Sequence, residues 1–149
     1  MELSQNLTSE YNVNITVIPC DLNDPAAPDQ LVQRLASDNI EVDVLINNAG
    51  LGLVGPFATT DWNKEASMLQ VNIVALVELT KRLLPKMVER GWGRIVNVSS
   101  TASFQPGPLM AIYYASKAFV TSFSEAIHHE LRDTGVKVTA LCPGPTESG

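Results

Sequence analysis

Four short runs rich in valine and isoleucine, residues 15–19, 42–47, 94–98 and 136–142, recur along the chain with helix-patterned stretches between them. Each run is of strand length, and strand after helix after strand is the order that builds a parallel α/β sheet. The last three runs are nearly continuous in apolar residues, which predicts strands buried on both faces. The intervening stretches predict helices over 29–37, 61–90 and 112–132, and residues 2–10 read as the tail of another. Asp61 is placed to cap the second helix, Pro85 to kink it near its end, and Gly91 and Gly135 to end the second and third. The third helix would carry Ala118, Phe119, Ser122 and Ala126 along one side. No repeat, linker or low-complexity stretch divides the 149 residues, so a single α/β unit is expected.

Composition narrows the function. With 45% hydrophobic and 17% charged residues the chain is of globular type, and a net charge of −6 with scattered basic residues argues against nucleic acid. No apolar run reaches the roughly 20 residues a membrane span needs, and the polar start MELSQNLTSEYN lacks a signal peptide's pattern. A cytoplasmic protein without membrane or nucleic-acid partners is expected. Cys20 and Cys142 each end an apolar run and read as core thiols. His128 and His129 are adjacent, hence about 100° apart on a helix, which disfavours a shared metal ion and leaves no metal site expected.

Chemistry gathers after the run 94–98. Ser99 and Ser100 follow it at the carboxyl edge of the expected sheet, where open α/β sheets place their ligands. Tyr113 comes thirteen residues after Ser100, and Lys117 four residues later on the same helical face. A phenol of ordinary pKa near 10 is a weak base at neutral pH. An ammonium about 4 Å away favours its phenolate by about 4 kcal/mol at an effective dielectric near 20, enough to make the pair a working acid and base. Taken alone, Y-x-x-x-K occurs in many helices. Asn72, polar in an otherwise apolar helix, reads from its surroundings as a satisfied core amide. Asp21 after the first run reads as a helix cap.

The set N-N-A-G at 47–50, Asn72, N-V-S-S at 97–100, Tyr113 with Lys117, and Pro143-Gly144 resembles the short-chain dehydrogenase/reductase family in order and spacing. The likeness runs from Asp21-Leu22 to Gly149. It implies a partial Rossmann-like, doubly wound parallel sheet in three α/β/α layers. It also implies hydride transfer between NAD or NADP and a small carbonyl or alcohol substrate. Tyr113 would be the acid or base, Ser100 would polarise the substrate oxygen, Lys117 would tune Tyr113 and bind the nicotinamide ribose, and Asn72 would hold a water that relays protons to Lys117. The cofactor would further meet Asp21, Leu22, Asn48, Ala49, Gly50, Pro143, Gly144, Thr146 and Ser148. Leu53, Val54, Phe57, Phe104, Leu109 and Met110 suggest an apolar substrate pocket.

Two features qualify the likeness. The family's T-G-x-x-x-G-x-G cofactor loop would precede residue 1, and its substrate region would begin near Gly149, so a partial chain is expected. In the strand order 3-2-1-4-5-6, the run 15–19 would then be parted from 42–47 by a two-strand gap, or would pair with it directly. Gly50, Gly52 and Gly55 spell G-x-G-x-x-G after a strand, but Pro56 follows and helical signals resume only near Asp61, so these glycines are expected at the substrate rim and not on pyrophosphate. The alternatives to an enzyme are a non-catalytic remnant held in a homodimer or homotetramer by its long helices, and a nucleotide-binding regulator.

Overall fold

The computed structural model describes residues 2–145. Three parallel strands, β1 (Val44–Asn47), β2 (Gly93–Val98) and β3 (Val136–Leu141), pair in chain order. Val44 lies opposite Arg94, and Gly93 opposite Val136. Two helices, α1 (Glu2–Tyr11) and α2 (Ala27–Ser37), precede β1; α3 (Trp62–Leu69) and α4 (Leu76–Glu89) fill the connection from β1 to β2, and α5 (Ala111–Glu130) fills that from β2 to β3.

The expected long helix over 61–90 forms, but in three parts. Asp61 caps α3, accepting from the backbone N–H of Asn63, and a π-helical turn over Gln70–Ala75 separates α3 from α4. α4 runs on through Pro85, and Gly91, at φ +71°, follows its end. Arg82 of α4 pairs with Asp29 of α2 at 2.7 Å and with Glu78 at 2.7 Å, fastening the two helices side by side.

The run 15–19 is not a strand. Residues 12–20 are irregular, and Val13, Ile15 and Val17 are exposed. A strand exists only through its ladder, and the sheet of the described residues ends at β1, so this segment has no neighbour to pair with. The same edge leaves Cys20 exposed, and Cys142, just past the end of β3, is half-buried, against the expectation of two core thiols.

Burial on both strand faces is also corrected, because burial alternates. Ile95, Asn97, Val136 and Val138 are buried, whereas Lys137 and Thr139 are exposed and Val44 and Ile46 stand largely open. Right-handed crossovers between strands paired in sequence order put α3, α4 and α5 over one face. There Met87, Ile95, Leu131, Val136 and Val138 form the core.

Polar groups also cross that face. The Asn47 amide donates to Asn97 Oδ1 at 2.8 Å and to Thr80 Oγ1 of α4 at 3.1 Å. Asn97 donates in turn to Ser124 Oγ of α5 at 2.9 Å. Asn47 and Asn97 face each other in the β1–β2 register, so a slip of one residue would break this chain of bonds.

Gly91 and Gly135 both lie in the left-handed region, at φ +71° and +80°. A Cβ on Gly135 would stand 2.0 Å from the Gly91 carbonyl oxygen, whereas one on Gly91 would meet nothing within 4 Å. In urea denaturation, Gly91→Ala should therefore cost only the left-handed penalty of about 1–2 kcal/mol. Gly135→Ala should cost distinctly more, and equal losses would contradict the contact.

Candidate active site

The site starts where β2 ends. Ser99 points inward: its hydroxyl donates to the Lys117 carbonyl at 2.8 Å and lies 2.7 Å from Thr121 Oγ1. Ser100 heads a short 3-10 turn, Thr101–Phe104, and its Oγ accepts from the Ala102 N–H at 3.1 Å. That cap occupies a lone pair and leaves the hydroxyl proton available. The two serines thus divide the work, Ser99 fixing α5 and Ser100 keeping a donor at the sheet's mouth.

Lys117 is 6% exposed, and its Nζ donates to the Val98 carbonyl at 2.8 Å. Its two other ammonium protons have no partner among the described residues. Burial lowers its pKa from the ordinary 10.5, because removing an ammonium from water penalises the charged form. Tyr113 sits one turn earlier on α5, half-buried, its ring centroid 5.8 Å from Lys117 Nζ.

Asn72 lies in the π-helical turn, 1% exposed. Such turns are frequent at functional sites, since the extra residue turns a side chain out of the helical register. Its Oδ1 accepts from the Leu51 N–H at 2.8 Å, and its Nδ2 donates to the Leu51 carbonyl at 2.9 Å and to Ser116 Oγ at 3.0 Å. Both amide protons are used, so Asn72 grips the loop after β1 at two points and α5 at a third.

That loop carries the three glycines over the site. A Cβ on Gly50 would lie 3.4 Å from Lys117 Nζ and 3.5 Å from Asn72 Oδ1, and one on Gly52 would lie 3.7 Å from the Tyr113 ring. No helix begins there, and the N–H of Gly55 donates to the Leu109 carbonyl at 2.8 Å. Gly50 and Gly52 thus lie close against Lys117, Asn72 and Tyr113, and the glycine run does not open a helix, which agrees with the rejection of a pyrophosphate loop there.

The residues expected at the cofactor fall into separate groups. Leu22, Asn48 and Ala49 line one cleft with Leu31, Leu45 and Leu79 beside the open edge of β1. Asp21 is turned from it; its exposed carboxylate accepts from the Asn23 N–H at 3.0 Å, a local turn. Pro143 accepts from the Thr101 N–H at 3.0 Å, which draws the chain after β3 up to the turn that Ser100 heads, and Gly144 is exposed beside it. Thr146 and Ser148 lie outside the described residues.

Of the residues expected at an apolar pocket, Leu53, Phe57, Leu109 and Met110 line one small cavity. Val54 and Phe104 are not on its wall and, like Phe57, are largely exposed. The cavity wall includes a residue the sequence did not single out, Glu65, which is buried and accepts from the Thr60 hydroxyl at 2.6 Å. Ser116 was missed as well, although it stands beside Lys117 in Y-A-S-K.

The family model described as short chain dehydrogenase matches residues 1–149. The ketoacyl reductase HetN of Nostoc sp. is 40% identical over 127 residues, 85% of this chain and 44% of that protein. The NADP-dependent 3-hydroxy acid dehydrogenase YdfG of Escherichia coli is 35% identical over 147 residues, 96% of this chain and 58% of that protein. A solved short-chain dehydrogenase from Sphingobium yanoikuyae, in complex with NADPH, superposes with a TM-score of 0.91 at 34% identity, covering 98% of this chain and 57% of that one. The chain therefore spans about half the length of the relatives it matches.

The lowered pKa of Lys117 has a stability consequence. Between that value and 10.5 the unfolded chain holds a proton the folded chain has released, so stability rises with pH across this window. Thermal unfolding of the wild type and Lys117→Met at increasing alkaline pH should show the wild type gaining on the variant. A wild type losing ground as pH rises would contradict the burial of the ammonium.

Proposed function

This chain belongs to the short chain dehydrogenase family, and we propose that the protein carrying it is an oxidoreductase moving a hydride between NAD or NADP and the carbonyl or alcohol carbon of a small apolar substrate. The observation that carries the reading is the buried Lys117 ammonium, held by the Val98 carbonyl beside the Tyr113 ring at the mouth of the sheet.

In the reducing direction, Tyr113 gives its phenolic proton to the carbonyl oxygen as the hydride adds to the carbonyl carbon. In the oxidising direction, Tyr113 takes the alcohol proton. Lys117 stabilises the phenolate left on Tyr113, since its charge lies close and largely out of water. Ser100 donates its free proton to the same substrate oxygen, where negative charge grows during reduction. Asn72 holds the Gly50–Gly52 rim against Lys117 and Tyr113, and its Oδ1 keeps one lone pair for a water leading to Lys117.

The described residues fit part of a dinucleotide. Lys117 has two unpartnered protons for ribose hydroxyls, and the cleft at Leu22, Asn48 and Ala49 offers apolar walls for an adenine. When bound, the nicotinamide supplies or accepts the hydride. Among the described residues no glycine-rich turn opens a helix, so the pyrophosphate finds no backbone cradle here.

A second reading, a non-catalytic remnant that assembles with copies of itself as a homodimer or homotetramer, is favoured by the exposed face of α5 at Ala115, Ala118, Phe119, Ser122 and Ala126. Fluorescence titration with NADPH and NADH separates the two. Dissociation constants below about 100 μM, some 5.5 kcal/mol of binding, support the enzyme, and no binding supports the remnant. Tyr113→Phe should then abolish turnover with cofactor affinity nearly unchanged; a variant that keeps turning over refutes the role given to Tyr113.

A further inference from the structure

Ser116 stands at the junction of the parts that form the site. It is wholly buried, and its Oγ accepts from Asn72 Nδ2 at 3.0 Å and donates to the Tyr113 carbonyl at 2.7 Å. Its one proton and the lone pair facing Asn72 are thereby both committed, so the hydroxyl has a fixed orientation. The Tyr113 carbonyl is also the acceptor that the α-helical pattern assigns to the Lys117 N–H. The turn joining the phenol to the ammonium is therefore closed twice, once by the helix and once by Ser116.

We infer that Ser116 is a positioning residue for Tyr113, transmitting the hold of Asn72 on the Leu51 loop to the turn of α5 that carries both Tyr113 and Lys117. The inference rests on the oxidoreductase reading above and deepens it. Asn72 grips Leu51 at both backbone atoms, and the Gly52 that follows lies against the Tyr113 ring. Rim, π-helical turn and α5 thus share one hydrogen-bonded junction, with Ser116 as its only side-chain link from Asn72 to α5 among the described residues. A serine bonding back to a carbonyl three residues earlier adjusts the local course of a helix. Here that adjustment falls on the turn whose side chains must meet the substrate oxygen.

The test uses the whole protein carrying these residues, with Ser116→Ala, Ser116→Cys and Asn72→Ala, and Tyr113→Phe to assign the Tyr113 ring signal in the NMR spectrum of isotope-labelled tyrosine. Cysteine overfills the position slightly and weakens both hydrogen bonds, whereas alanine underfills it and removes them, so a shared loss in both variants separates positioning from packing. Both Ser116 variants should lower kcat on the order of 10- to 100-fold, the scale of a misplaced reacting group, with the cofactor KM within about twofold. Both should shift the Tyr113 ring signal. Ser116→Ala combined with Asn72→Ala should be no worse than Asn72→Ala alone, as expected for residues acting in one chain. An unmoved ring signal, or kcat losses that multiply in the double variant, would overturn the inference. A wild type without turnover would count against the oxidoreductase reading, and the ring signal alone would then decide the role of Ser116.

Discussion

An ammonium cannot leave water beside a sheet without an oxygen to receive it, and in this chain the oxygen is the carbonyl of Val98. That bond ties the first turns of α5 to the last residue of β2 and sets where every other group of the site can stand. Ser99 strengthens it from below by holding the Lys117 carbonyl and touching Thr121, so the same turn of α5 is fastened through both backbone and side chain. The burial that penalises the ammonium also leaves its field poorly screened, which is the condition under which it can act on a neighbouring phenol.

Buried polar groups organise the rest of the fold in the same manner. The line Thr80–Asn47–Asn97–Ser124 crosses the sheet beneath α4 and α5, and Asn72 crosses from the π-helical turn to the loop after β1. Each group is costly if unmet and worth little in excess when met, so such lines select one register and one helix position more than they add stability. The apolar core of Met87, Ile95, Leu131, Val136 and Val138 supplies cohesion, while the amides supply alignment.

Much of this was legible because it depends on local spacing. The strands at 94–98 and 136–141, the Asp61 cap, the Gly91 and Gly135 positions and the shared face of Tyr113 and Lys117 follow from periodicity and turn chemistry. What failed to show depends on partners distant in sequence. The valines and isoleucines of 13–18 have strand composition but no neighbouring strand, and Cys20 is exposed beside that same open edge. The π-helical turn at Gln70–Ala75 leaves the apolar periodicity of the sequence intact while rotating Asn72 onto Leu51, so no pattern announced it. Ser116 and Glu65 are polar residues inside helices, and only burial and their partners mark them as part of the site.

The proposed site unites the carboxyl end of β2, the first turns of α5 and the loop gripped by Asn72, and its proposed action on a carbonyl can be read directly. The most direct measurement supplies the whole protein with NADPH deuterated at the transferable position of the nicotinamide, together with an apolar ketone, and reads the alcohol product by mass spectrometry. One deuterium on the carbinol carbon of each product molecule is expected. Cofactor bound at the site without any transfer of label to a range of such ketones would contradict the proposed action.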